Sequence, residues 1–147
     1  MPNISYAKEW IKFAERDYAI ALHLSKTFHP LPTENICYSC QQSVEKSLKT
    51  ILAYNEVDIP KIHDIIALDD LCQNHKGKTL LDAKIAGIIT RFATKFRYLD
   101  NVFDLTKEDA ELGLKYAKIV LDQVKEILSL PQNSETDNPN DKGDKNS

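Results

Sequence analysis

Three groups of side chains in this 147-residue sequence have types and spacings that could do chemistry. The first is Cys37-x-x-Cys40 with Cys72-x-x-His75, on paper a four-ligand zinc set. Structural zinc pairs sit on turns, often beside glycine. Cys37 and Cys40 instead fall on the apolar stripe of a helix, where cysteine behaves as a small hydrophobe. The expectation is core packing and no bound metal. The second group is the histidines. A carboxylate-bridged di-iron bundle needs Glu-x-x-His on its helices. The residues three positions before His23, His29, His63 and His75 are Ile20, Lys26, Pro60 and Cys72, none of them acidic. That chemistry is excluded. A glycine-rich phosphate loop, Gly-x-Ser-x-Gly and His-Glu-x-x-His are also missing, and no cofactor is expected.

The third group is cationic. Between Ala83 and Leu99 stand Lys84, Arg91, Lys95 and Arg97, with no acid. Lys84, Arg91 and Lys95 are spaced i, i+7 and i+11, so on a helix they share a face beside or opposite the Ile85/Ile88/Phe92 stripe. A local charge of +4 in a chain of net charge −3 could hold phosphates. The alternative is an ordinary solvated face.

The elements that must carry these groups read as helices. Apolar residues make up 42% of the chain and charged residues 28%, enough for one domain with a core. Only four Gly and six Pro occur, with no Pro between Lys61 and Leu130, which disfavours a turn-rich β sandwich. Residues 5–27 place Trp10, Ala14, Tyr18, Ala21 and Leu22 at helical spacing, and Tyr6 and Phe13 widen the stripe. Pro30 and Pro32 end that helix. Thr33 is suited to cap a second, about 34–55, lined by Cys37, Cys40, Val44, Leu48 and Ile51. After a connector containing Pro60, a short helix covers about 64–75. A fourth covers about 79–98, with Leu81, Ile85, Ile88, Phe92 and Phe96 inward. Thr106 caps a fifth, 107–129, with Ala110, Leu114, Ala117, Leu121, Val124 and Leu128 inward. Gly87 and Gly113 inside helices each cost roughly 1 kcal/mol against Ala, which close helix approach would explain. The expected fold is all-α: an antiparallel bundle of four long helices, each over five turns, plus one short helix.

Residues 1–130 form the single domain. Residues 131–147 contain no apolar side chain, and a disordered polar tail is expected there. The tail carries four acids and two lysines, leaving a body of charge −1. The start, Met1-Pro2-Asn3-Ile4, lacks the features of a signal peptide, and no apolar run is long enough to cross a membrane. Three cysteines, an odd number, fit a reducing compartment, so a cytoplasmic location is expected.

Several stretches together resemble a known family. Trp10-Ile11-Lys12-Phe13-Ala14-Glu15-Arg16-Asp17-Tyr18 looks like an opening helix with an aromatic start and an acid, Asp17, before an Ala-rich turn. Cys40-Gln41-Gln42-Ser43-Val44-Glu45-Lys46-Ser47-Leu48-Lys49 shows a Gln-Gln pair followed by Glu-Lys-x-x-Lys. Pro60-Lys61-Ile62-His63-Asp64 places a His just before the third helix. Arg97-Tyr98-Leu99-Asp100 leads to the capped last helix at Thr106-Lys107-Glu108-Asp109-Ala110. In order and spacing, over about residues 6–128, these resemble the prokaryotic stand-alone HEPN domains (higher eukaryotes and prokaryotes nucleotide-binding).

The resemblance implies a helical bundle that dimerises, often made beside a small nucleotidyltransferase in a toxin–antitoxin-like pair. It also implies that many members are metal-independent RNases, which carry an Arg, then four to six residues, then a His, at the end of the fourth helix. The matching Arg is Arg97, but Val102, Phe103 and Asp104 stand where the His would fall. Arg16 and His23 satisfy the spacing on the first helix, away from the matching position, and read as coincidence.

The expectation is therefore a nucleotide- or RNA-binding module, a homodimer and possible partner of a nucleotidyltransferase, lacking the nuclease His. Lys84, Arg91, Lys95 and Arg97 would hold phosphate, with Asp17, His63, Tyr98 and Asp100 in support and Arg97 as the catalytic candidate. Alternatives are a metal-independent RNase with a degenerate site, in which Arg97 works with His63 or a dimer-mate residue, and a structural dimer adaptor. The dimer is expected on the fourth helix and the loop after it, through Phe92, Phe96 and Phe103.

Overall fold

The computed structural model describes residues 3–76, 80–97 and 105–129, without the side chains of residues 75, 76 and 93–97. The expected tail at 131–147 lies outside the described residues, as do Tyr98, Asp100, Phe103 and the side chains of His75, Lys95, Phe96 and Arg97. Five helices are present, α1 Ile4–Thr27, α2 Thr33–Tyr54, α3 Ile65–Lys76, α4 Ala83–Arg97 and α5 Lys107–Ile127, and there is no strand among the described residues. None of these helices is long and apolar enough to cross a membrane.

Helix α1 starts where Asn3 Oδ1 accepts the Tyr6 N–H at 3.0 Å, and it ends as Phe28 turns to extended backbone before the two prolines. It buries Ala7, Ile11, Ala14, Tyr18 and Ala21, a narrower stripe than the sequence implies. Trp10 and Leu22 are half-buried, and Tyr6 and Phe13 are exposed. The reason is the alanines at seven-residue intervals. They let α2 approach closely enough for the Ser43 hydroxyl to donate to the Ala14 carbonyl at 2.8 Å. The aromatic side chains then stand beside the seam rather than in it.

Helix α2 is central, packed against α1, α3, α4 and α5. Its neighbours cover it so completely that Gln41, Ser43, Glu45, Ser47, Lys49 and Thr50 are buried along with Ile36, Cys37, Cys40, Val44, Leu48, Ile51 and Leu52. Thr33 is its first residue and not its cap. Pro32 holds that position without a side-chain bond, and its carbonyl accepts the Ile36 N–H at 3.0 Å. The other end closes with Val57 N–H to the Leu52 carbonyl at 2.9 Å and Glu56 N–H to the Ala53 carbonyl at 3.2 Å, a Schellman arrangement. Glu56 takes the left-handed position (φ 57°) that glycine usually fills. The chain then returns along the bundle. Val57, Ile59 and Ile62 of the connector pack on the core.

Helix α4 is shorter than expected, at 15 residues and about four turns. Asp82 starts it, with its Oδ1 accepting the Ile85 N–H at 2.8 Å. Leu80 and Leu81 lie ahead of the helix but are still buried, and Leu80 N–H reaches Asp69 Oδ1 at 2.9 Å. The inward line is Ile85, Ile89 and Phe92; Ile88 is only half-buried. That i, i+4, i+7 series turns the helix slightly from the series through Ile88. Phe92 is fully buried, so it is not available to a dimer interface. Its ring occupies the space beside Gly113 of α5. A Cβ there would lie 2.9 Å from Phe92 Cε2 and 3.4 Å from Cys40 Cβ and Sγ, so close approach does explain this glycine. Gly87 has nothing within 4 Å of the same position, and close approach does not explain it.

Helix α5 opens as expected, with a capping box in which Thr106 accepts the Asp109 N–H at 3.2 Å and Asp109 Oδ2 accepts the Thr106 N–H at 2.8 Å. It ties back to α1 through buried Lys125, whose Nζ lies 2.8 Å from Glu15 Oε2.

Candidate functional site

The basic face of α4 is built by its helical turn. With Ile85, Ile89 and Phe92 inward, Lys84 and Arg91, seven residues apart, fall on the solvent side, and both are exposed. Lys84 has no acidic partner among the described residues. Arg91 Nη1 lies 3.4 Å from Asp109 Oδ1, with the Arg91 side chain 51% exposed. That carboxylate is already committed to capping α5, accepting the Thr106 N–H at 2.8 Å and the Thr106 hydroxyl at 3.1 Å. The long, exposed contact is worth little to stability. It positions the guanidinium at the start of α5, and among the described residues its other donors are left for a planar anion. Lys95 and Arg97 continue α4, with side chains outside the described residues. The structure therefore describes Lys84 and Arg91 of the four expected phosphate contacts.

Asp17 and His63, expected in support of that face, belong to a different cluster. Asp17 Oδ2 accepts from Lys46 Nζ at 2.6 Å, and His63 Nδ1 bonds Glu45 Oε1 at 2.9 Å. Glu45 also accepts from Lys49 Nζ at 3.2 Å through Oε2. Lys49 Nζ lies 5.9 Å over the Trp10 ring, and Lys46 Nζ lies 5.9 Å over the Phe13 ring, which Arg16 also approaches at 5.4 Å. Trp10 and Phe13 meet edge to face. This network joins α1, α2 and the connector, and none of these contacts includes Lys84 or Arg91. The sequence offers Lys46 and Lys49 beside Glu45 as further charges on the second helix; the structure instead pairs them with acids, Lys49 with Glu45 and Lys46 with Asp17. The signal for the first pairing is the i, i+4 spacing inside the Glu-Lys-x-x-Lys run.

The three cysteines line the core. Burial, joined by the nearby Asp109 and Glu34 carboxylates and opposed by Arg91, pushes the Cys37 thiol up to about 12. Burial first, then Asp69, pushes Cys72 up to about 12, and its Sγ donates to the Leu48 carbonyl at 3.3 Å. Cys40 is raised further still, chiefly by burial. Such thiols are protonated and poorly nucleophilic. Among the described residues no group of three or more His, Cys, Asp or Glu is placed to hold a metal ion.

Comparison with known proteins gives one coherent family. The chain is 33% identical over 141 residues to a protein of Methanocaldococcus jannaschii described as "Putative toxin MJ1304", a match covering 86% of this chain and 90% of that protein. Its fold is similar to the crystal structure of ST0689, described as an archaeal HEPN homologue, with a TM-score of 0.61 and 24% identity over 83% of this chain and 97% of the other. The model of the HEPN domain family matches residues 7–127, nearly all of the five-helix body, and the chain belongs to that family.

Proposed function

We propose that this chain is a nucleotide- or RNA-binding HEPN module, the toxin-side member of a toxin–antitoxin-like pair whose other member is a small nucleotidyltransferase. The observation that carries the binding reading is the acid-free run of cations along α4, ending at Arg97. Arg91, held at the start of α5 and half exposed, supports it. The likeness to a protein described as a toxin supports the placement in such a pair. In a two-fold dimer built on the end of α4, Arg91, Lys95 and Arg97 are duplicated across the axis. About six positive charges then line one cleft, where an anion is poorly screened. Phe96 and Phe103 are left to form the apolar part of that interface.

Binding of this kind needs no proton-transfer group. The position after Arg97 where RNases of the family are expected to carry His holds Val102, Phe103 or Asp104, so little or no cleavage accompanies binding. Incubating the pure full-length protein with structured RNA in EDTA tests this. The expected result is salt-sensitive binding that Arg97→Ala impairs, with the RNA intact. Specific cleavage lost in Arg97→Ala would instead identify a metal-independent RNase working without that His. No binding at low salt would leave a structural adaptor. Light scattering at micromolar concentration should give a dimer, and a 17 kDa monomer would remove the shared cleft.

A further inference from the structure

The Glu45 side chain is only 3% exposed, yet it bonds a histidine that is 66% exposed. A buried carboxylate requires a charge partner, and Lys49, itself 8% exposed, already supplies one. His63 is therefore not needed to neutralise Glu45. What the contact fixes is the imidazole. A carboxylate only accepts hydrogen bonds, so in the neutral imidazole the ring proton sits on Nδ1, 2.9 Å from Glu45 Oε1, and the lone pair on Nε2. The backbone is fixed just as firmly. Asp64, the next residue, caps α3 by accepting the Ile66 and Ala67 N–H groups at 3.0 and 3.2 Å. The ring is thus anchored at its inner nitrogen and presents Nε2 to solvent, with exposed Lys61 two residues away on the same connector.

We propose that His63 Nε2 is a nucleophile that accepts a phosphoryl group from an activated phosphate donor. The Nε2 lone pair attacks phosphorus, the bond from phosphorus to the leaving group breaks, and positive charge develops across the ring. Glu45 stabilises that charge through the Nδ1–H bond it already makes, so its help is larger in the transition state than before reaction. The Nδ1 proton stays shared with Glu45, and the leaving group departs with the bonding electron pair. This site uses no residue of the α4 face and is independent of RNA binding.

The chain carries its own controls. His23 and His29 are also exposed, and among the described residues neither has a carboxylate partner. The experiment treats the full-length protein with phosphoramidate at neutral pH, where the leaving group is ammonia. Mass spectrometry and phosphorus NMR then locate the product. The expected result is phosphorylation of His63 at Nε2 about tenfold faster than of His23 or His29, the ratio given by about 1.4 kcal/mol of differential stabilisation. Glu45→Gln should bring His63 down to the rate of the other two. Equal rates in the wild-type protein, or a product at Nδ1, would overturn the proposal, and this comparison decides the matter even where Glu45→Gln fails to fold. A purely structural Glu45–His63 contact gives no rate advantage at Nε2.

Discussion

The two charged faces of this protein use similar residues to opposite ends. On the side formed by α1, α2 and the connector, Lys46 is bonded to Asp17 and Lys49 to Glu45, and each ammonium also lies over an aromatic ring. Along α4 the described cations have one acid between them, and that acid is committed to a helix cap. The first arrangement spends its charges on holding helices together. The second leaves positive potential facing solvent, which is what an anionic partner can use. Counting lysines and arginines does not distinguish the two; counting the acids within reach does.

The contrast breaks most visibly at Glu45. Glu45→Ala leaves Lys49 buried without its partner and should cost about 3–5 kcal/mol. On the open face Arg91→Ala should change stability by no more than about 0.5 kcal/mol. Denaturant unfolding of the two variants checks both, and equal losses would erase the distinction.

The glycines sharpen it next. Gly113→Ala pushes a methyl against the Phe92 ring and Cys40 and should destabilise by about 1–3 kcal/mol. Gly87→Ala meets nothing and should stabilise by about 0.5–1 kcal/mol through helix propensity. Opposite shifts in melting temperature are the expected outcome.

The cysteine prediction concerns alkaline pH. Cys37 ionises near 9 in the unfolded chain but is held protonated to about 12 in the fold. The unfolded state therefore loses its proton first, and stability falls as pH rises from about 9 towards 12. Cys37→Ala should make that decline shallower by up to about 1.4 kcal/mol per pH unit, read from denaturant midpoints across the range.

Helical periodicity made the bundle legible in the sequence. Spacing together with the prolines and capping residues locates α1, α2, α3 and α5 to within two residues, and the Thr106 cap is visible as a capping residue. The start of α4 is less legible. Leu80 and Leu81 continue the apolar rhythm although Asp82, not the region before them, starts the helix. Tyr6 and Phe13 mislead for a related reason. Periodicity says that a residue lies near a seam, but the small side chains in the seam decide how far burial spreads. The basic run on α4 is visible in sequence because it lies within one element. The Glu45–His63 pair spans 18 residues across a turn, and sequence supplies its members without their contact.

The central claim is that the α4 face, and not the α1–α2 face, holds phosphates. Its most direct test is the salt dependence of structured-RNA binding for the wild-type protein, Arg97→Ala and Lys46→Ala. The account predicts that Arg97→Ala weakens binding and lowers the slope of log affinity against log salt by about one, the loss of one phosphate contact. Lys46, already bonded to Asp17 at 2.6 Å, should be replaceable with neither quantity changed. Binding that survives Arg97→Ala with the full salt slope and fails in Lys46→Ala would contradict it.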